Sequence, residues 1–264
     1  MKHQARKRFG QNFLHDPGTI QKIVHAIDPR PGDHIVEIGP GMGAITKHLL
    51  KALGTLDVIE IDRDLIPILE EELAGIGELN ISNVDALKFD FSTLVKDDEK
   101  LRIVGNLPYN ISTPLLFHLI NYRDHIENMY FMLQKEVVDR LTAEPNTSDY
   151  GRLSVMAQYH CETERLFIVG PGAFHPRPKV DSAIVQLHPR HKIEVEAKDY
   201  KRFRELVTKC FTQRRKTLRN NLKNILTSEQ IMSLGIDPST RAETLTVNQF
   251  VELANLASDI TSNN

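Results

Sequence analysis

The chain has 264 residues, enough for one large domain or for an ordinary domain with an appendage, and 41% hydrophobic with 26% charged residues is a globular composition, not a disordered one. No apolar run approaches the roughly 20 residues of a membrane span. The basic N-terminus MKHQARKRFGQNF lacks the apolar segment of a secretory signal, so a cytoplasmic protein with no membrane partner is expected.

In chain order, residues 1–10 carry Lys2, Arg6, Lys7 and Arg8 with no acid, a basic block inside a chain of net charge −2. A neutral protein can still offer such a block to a polyanion. After FLHDPG, Ile20, Ile23, Val24 and Ile27 form one apolar stripe, with Asp16 as N-cap and Pro17 in the first helical position. Short β-rich runs follow at 34–39, 56–62, 79–85, 101–106 and 129–134, separated by helical patterns such as 45–53 and 65–73. Near-continuous apolar strands alternating with helices predict a parallel, doubly wound α/β sheet. RLFIVG (165–170) and AIVQLH (183–188) read as later strands around the loop PGAFHPRPKVDS.

The turn EIGPGMGAIT (37–46) leaves the first of these strands and opens a helix. Gly39, Gly41 and Gly43 permit a tight turn and close approach of a ligand to bare backbone. Gly39, Gly41 and Ala44 also satisfy the dinucleotide pattern GxGxxG/A, with Glu60 placed 21 residues after Gly39 for a ribose diol. A nicotinamide or flavin oxidoreductase is therefore the first rival. Two residues favour a cationic adenosine cofactor instead. Pro40 deletes one N–H donor of a pyrophosphate cradle, and Glu37 puts a carboxylate at the strand end, which opposes a pyrophosphate and tolerates a sulfonium. Glu60 then suits the ribose hydroxyls, and Asp85, after the third strand, the adenine amino group.

The fourth strand runs into GNLPY. An exocyclic adenine amine is a poor nucleophile, and methyl transfer to it needs acceptors that hold its hydrogens. Asn106 offers a side-chain carbonyl and Leu107 a backbone carbonyl, Pro108 restricts Leu107 to extended geometry, and Tyr109 supplies a face for a base. The bland alternative is a proline turn with a packed tyrosine.

From about residue 190 nothing reads as a strand; 200–211, 214–226, 228–236 and 246–257 read as helices. The expected division is a catalytic domain over 1–189 and a small all-helical domain over 190–264, with Pro189 at the boundary. Residues 201–219 carry eight Lys and Arg against Glu205 alone. Arg214, Arg215, Lys216 and Arg219 are expected to meet RNA phosphates, as are Arg6, Lys7 and Arg8. Arg177 and Lys179 either shape the proline-stiffened loop or do the same. Cys161 and Cys210 are too few and too far apart for a disulfide framework or a zinc site and read as reduced, partly buried thiols. No metal is expected, because no histidine has ligand-like partner spacing.

RKRFGQNFL (6–14), EIGPGMGAIT, VIEID, NVDAL, GNLPYNIS, FMLQKEV (131–137), FHPRPKVDS (174–182) and FTQRRKTLRN (211–220) occur in one order across nearly the whole chain. In this the sequence resembles the small-subunit (16S) ribosomal RNA adenine N6,N6-dimethyltransferases. The resemblance implies a Rossmann-like class I S-adenosylmethionine-dependent methyltransferase sheet. It places the cofactor on Asn12, Leu14, Gly39, Gly41, Glu60, Asp85 and Asn106, and Phe174 opposite Tyr109 so that the target adenine lies between two rings. It further implies dimethylation of two adjacent adenosines near the 3′ end of 16S rRNA within the assembling 30S subunit; the chain itself is expected to be a monomer. A 23S rRNA or DNA adenine methyltransferase, or a non-catalytic nucleic-acid-binding assembly factor on the same fold, remain the alternatives.

Overall fold

The computed structural model describes residues 11–97 and 99–262, so Arg6, Lys7 and Arg8 lie outside the described residues. The chain forms two compact units. One runs to Val138 and resumes over Glu162–Pro189, and the other comprises Asp139–Cys161 and the chain from Arg190 on. Residues 139–161, expected in the first domain, instead cluster with the later helices. No helix among the described residues is long and apolar enough to cross a membrane.

The elements in order are β1 (Phe13–Leu14), α1 (Pro17–Ile27), β2 (His34–Ile38), α2 (Thr46–Leu53), β3 (Thr55–Ile59), α3 (Ile66–Glu72), β4 (Glu78–Ser82), β5 (Leu101–Asn106), α4 (Ser112–Ile120), β6 (Ile126–Gln134), α5 (Lys135–Leu141), α6 (Arg152–His160), β7 (Cys161–Val169), β8 (Phe174–His175) and β9 (Ser182–Pro189). Four helices complete the chain: α7 (Tyr200–Thr212), α8 (Leu218–Leu222), α9 (Ser228–Ser233) and α10 (Val247–Ser262). The first helix starts as its sequence predicts, with Pro17 in the first turn and the Asp16 carboxylate accepting the Thr19 N–H at 2.7 Å.

Seven strands form one sheet in the order β4-β3-β2-β5-β6-β9-β7. The pairs from β4 to β6 are parallel, but β9 runs antiparallel to β6. The sheet is therefore mixed, where a parallel one was expected. A strand's own apolar pattern carries its burial and not its direction, so this reversal is invisible in AIVQLH. Both faces are covered. Ile35, Val104, Tyr130 and Met132 share a core cluster with Ile20, Ile23 and Ile27 of α1, Leu49 of α2 and Leu69 of α3. Their strand neighbours Val36, Ile103, Phe131 and Leu133 point the other way and are equally buried.

The chain leaves β2 for β3 and β4 on one side and returns to β5 and β6 on the other, so the carboxyl ends of β2 and β5 flank a crevice at the switch point. Gly105 stands opposite Ile38 there, and a Cβ on it would lie 2.5 Å from the Ile38 carbonyl oxygen. No larger residue fits between the two strands at this point.

In the second unit Asp199 caps α7, accepting the Arg202 N–H at 3.1 Å, and α7 buries Phe203, Leu206, Val207 and Cys210. The Tyr159 ring of α6 packs 4.8 Å from Phe203, and the Tyr150 hydroxyl donates to the Leu245 carbonyl at 2.9 Å. These contacts draw 139–161 into this unit. The helix expected over 214–226 is helical only at Leu218–Leu222. The Lys216 N–H closes a turn on the Gln213 carbonyl, extended Thr217 bridges Arg241, and the buried Asn221 amide donates to the Cys210 carbonyl at 2.9 Å. Arg214, Arg215 and Lys216 thus sit on a turn, and of the four basic residues only Arg219 is on a helix. Both cysteines are fully buried, more than the partial burial expected, and burial pushes the Cys210 thiol up to about 12.

Candidate active site

A cavity of about 340 Å³ opens at the carboxyl ends of β2, β3 and β5. It is lined by Asn12, Leu14, Gly39, Gly41, Glu60 and Asp85, and also by Asn106, Leu107, Pro108, Tyr109 and Phe174. Every residue assigned from sequence to the cofactor or the transfer chemistry therefore meets in one place, and the volume lies in the range of small-molecule sites.

The glycine turn is bent by Gly39, Gly41 and Gly43, all at positive φ. Its three glycine N–H groups are already engaged: Gly39 donates to the Ile59 carbonyl at 2.9 Å, Gly43 to the Pro40 carbonyl at 3.0 Å, and Gly41 points toward Glu60 Oε2 at 3.4 Å. A pyrophosphate needs such N–H groups free, and Pro40 has none. Three engaged glycine N–H groups and a proline leave this turn poorer in free donors than a pyrophosphate cradle, which counts against the oxidoreductase reading. A Cβ on Gly41 would also meet the Phe13 ring at 3.2 Å. Phe13 belongs to a two-strand ribbon, β1 against β8, that pairs Leu14 with Phe174.

Two buried carboxyls stand behind this loop. Glu37 is 2% exposed, and burial, with a smaller contribution from Glu60, pushes its carboxyl up to about 7. The Thr46 hydroxyl beside it offsets part of that cost, yet neither Glu37 Oε2 nor Thr46 Oγ1 completes a hydrogen bond among the described residues. Glu60 is raised as well, chiefly by burial, although Asp62 N–H at 2.8 Å and Gly41 N–H hold its charged form. Asp85 spends one oxygen on the Leu87 N–H at 3.0 Å. A cation placed near Glu37 would relieve an unpaired buried acid, the condition that a sulfonium or ammonium meets and a phosphate does not. On that ground the donor set fits S-adenosylmethionine. Among the described residues no cluster of His, Cys, Asp or Glu is placed to hold a metal ion.

At the end of β5 the Asn106 Nδ2 donates to the Asn12 carbonyl at 3.2 Å. That bond orients the amide and leaves Oδ1 as the acceptor for a ligand. The Leu107 N–H donates to the Met132 carbonyl at 3.2 Å, which fixes the peptide preceding Leu107. The half-buried Tyr109 is held at both ends: its carbonyl accepts the Ser112 hydroxyl at 3.2 Å, and its phenol lies 3.1 Å from Ser182 Oγ. Phe174, 2% exposed, lines the cavity from the core side.

Arg177, Lys179, Arg215, Lys216 and Arg219 are exposed. Arg214 is exposed as well, but its Nε donates to Glu243 at 2.7 Å and its guanidinium also reaches the Thr147 carbonyl. The sequence reading missed Phe13, Gln11 and Ser182. Gln11 bonds the buried Asp62 at 2.9 Å, and both Phe13 and Gln11 lie inside RKRFGQNFL, where neither residue type carries a ligand signal of its own. Nothing in KVDS signals that its serine meets a tyrosine 73 positions away.

The family model described as ribosomal RNA adenine dimethylase matches residues 2–259. The protein named "Ribosomal RNA small subunit methyltransferase A" from Pseudomonas syringae pv. syringae (strain B728a) is 56% identical over 257 residues, 97% of this chain and 96% of that one. Among solved structures, a dimethyladenosine transferase from Plasmodium falciparum is similar with a TM-score of 0.78 at 28% identity, over 91% of this chain and 95% of the other. The 23S rRNA methyltransferase ErmE follows with a TM-score of 0.73 at 27% identity, over 94% and 100%. The sheet has the class I S-adenosylmethionine-dependent methyltransferase fold, and the chain belongs to the ribosomal RNA adenine dimethylase family.

Proposed function

We propose that this protein dimethylates N6 of two adjacent adenosines near the 3′ end of 16S rRNA, as a cytoplasmic monomer acting on the assembling 30S subunit. The observation that carries the chemistry is the oriented Asn106 amide in the same cavity as the unpaired Glu37 carboxyl. When bound, S-adenosylmethionine supplies a methyl group made electrophilic by its sulfonium. Asn12, Leu14, Gly39, Gly41 and Asn106 line its place, Glu60 holds the ribose hydroxyls, Asp85 takes the adenine amino group, and Glu37 answers the positive charge.

Asn106 Oδ1 and the Leu107 carbonyl accept the two hydrogens of the target amine and favour a tetrahedral nitrogen. Pro108 keeps Leu107 extended, and the target base stacks on Tyr109 with Phe174 opposite. The nitrogen becomes acidic as its new bond forms, so its proton leaves without a dedicated base or a metal. After one transfer the amine keeps a single hydrogen, and the second transfer uses only one of the two acceptors.

Arg177, Lys179, Arg215, Lys216 and Arg219 meet RNA phosphates, with Arg6, Lys7 and Arg8 adding to them. Arg214, tied to Glu243, contributes less. Replacing Arg215, Lys216 and Arg219 together weakens subunit binding and flattens its dependence on salt by about two to three phosphate contacts; an unchanged log–log slope removes these residues from the RNA contact. The likeness to a 23S rRNA enzyme keeps the large subunit as the second reading. Labelled S-adenosylmethionine offered in parallel with undermethylated small subunits, large-subunit RNA and DNA decides it. Dimethyladenosine near the 3′ end of 16S rRNA supports the proposal. Label confined to large-subunit RNA or DNA overturns the substrate, and no transfer at all overturns catalysis.

A further inference from the structure

The ring proposed to carry the target base is held from outside its own loop. Tyr109 belongs to the turn after β5, and the Ser112 hydroxyl fixes its backbone there. Its phenol, however, reaches Ser182 Oγ at 3.1 Å, the first residue of β9. Ser182 is 1% exposed. Its backbone is locked by the sheet, since it pairs with Gln134 of β6 and the adjacent Asp181 carbonyl accepts the Lys135 N–H at 2.9 Å. The serine hydroxyl is therefore a rigid point, and the half-exposed ring pivots on a loop whose own hydrogen bonds constrain only its main chain. A side chain placed by a strand is held more closely than one placed by a turn.

We infer that Ser182 is a positioning residue for methyl transfer, setting the plane of Tyr109, and that its effect falls mainly on the second methylation. The inference rests on the proposed base-stacking site. In the first transfer the amine offers two hydrogens to Asn106 and Leu107, and those bonds help place the base. In the second transfer one hydrogen is gone, so a larger share of the placement falls to stacking on Tyr109. A ring free to tilt then costs the second step more than the first. Reacting groups tolerate little misplacement before rate is lost.

The test measures both products, mono- and dimethyladenosine, in a time course with small subunits, alongside thermal unfolding. Ser182→Ala is expected to slow the second transfer about five- to tenfold, from loss of one hydrogen bond, and the first by less. Monomethyladenosine then accumulates transiently where the unaltered protein shows little. Tyr109→Phe, which keeps the ring and loses the hydroxyl, is expected to give the same product ratio, and the double variant is expected to be no worse than either single one. Ser182→Thr, which keeps a hydroxyl, restores the ratio.

A folded Ser182→Ala with the unaltered product ratio overturns the inference, as does a Tyr109→Phe that behaves differently from it. If Ser182→Ala unfolds, Tyr109→Phe alone decides, because its hydroxyl is the other half of the same bond. Absence of dimethyladenosine with the unaltered protein instead overturns the proposed function, so the two failures are distinguishable.

Discussion

At the amino-terminal ends of the strands, Arg102 of β5 is nearly buried and fully employed: its guanidinium donates to the Asp33 carboxylate, to the Ile27 carbonyl, and to Asn128 Oδ1 at 3.2 Å. Beside it His34 bonds Asp57 at 2.8 Å, which raises the imidazole and helps lower the carboxyl. At the carboxyl ends of the same strands, Glu37 is buried with an oxygen unpartnered, Glu60 is raised above the usual carboxylate range, and three glycines hold a bent turn. One end of the sheet satisfies its charges, and the other leaves them waiting. Buried polar groups are ordinarily paired, so an orphan of this kind marks the place where a ligand completes the structure.

Substitutions at the two ends separate these roles. Asn106→Ala, at the ligand end, is expected to lower methyl transfer by on the order of 10²-fold or more, as loss of one preorganised polar group at a reacting centre does. Its denaturation midpoint stays close to that of the unaltered protein, and near-normal turnover refutes the acceptor assignment. Arg102→Leu inverts the pattern. It strands Asp33, the Ile27 carbonyl and Asn128 Oδ1, and because Asp33 is about a quarter exposed the cost is on the order of 2 kcal/mol, below the roughly 3–5 kcal/mol of a fully buried pair. Chemical denaturation reads that loss while the KM for S-adenosylmethionine stays unchanged; a shifted KM would show that the two ends are coupled.

The smallest effect concerns pH. Glu37 is raised from 4.5 to about 7 in the folded chain. The unfolded chain is ionised through that window while the folded one keeps its proton, so Glu37 removes stability as pH rises from 4.5 to about 7. Glu60, raised in the same direction, adds to the slope. A cationic ligand reverses this by favouring the charged form. Binding of S-adenosylmethionine below pH 7 therefore releases protons, and affinity rises by up to about tenfold per pH unit. Titration calorimetry in buffers of different ionisation heat measures that release. Glu37→Gln is expected to reduce it and to flatten the pH dependence; an unchanged proton count assigns the release to Glu60 or elsewhere.

Much of the site was legible because its parts are local. The α1 cap, the glycine turn and the order asparagine, proline, tyrosine are each set by a few consecutive residues whose backbone preferences need no distant partner. Their meeting in one cavity follows from the α/β rule that ligands bind at the carboxyl ends of strands. Less was legible where a segment's partner lies far along the chain. The pattern over 214–226 supports a helix, yet Asn221 and Thr217 stop it at five residues through bonds to Cys210 and Arg241. Arg214 looked like its basic neighbours until Glu243 claimed it.

The amino-acid sequence by itself determined the alternation of strands and helices, the acids at the strand ends and the order asparagine, leucine, proline, tyrosine after β5, because period, capping and proline geometry act over a few residues. The tertiary structure alone decided that β9 runs antiparallel into the sheet, that 139–161 joins the helical unit, that Glu37 keeps a buried oxygen without a hydrogen bond and that Ser182 holds Tyr109. Each of these depends on which surfaces are left to pair once the chain has closed, and that choice is made by packing between residues tens of positions apart.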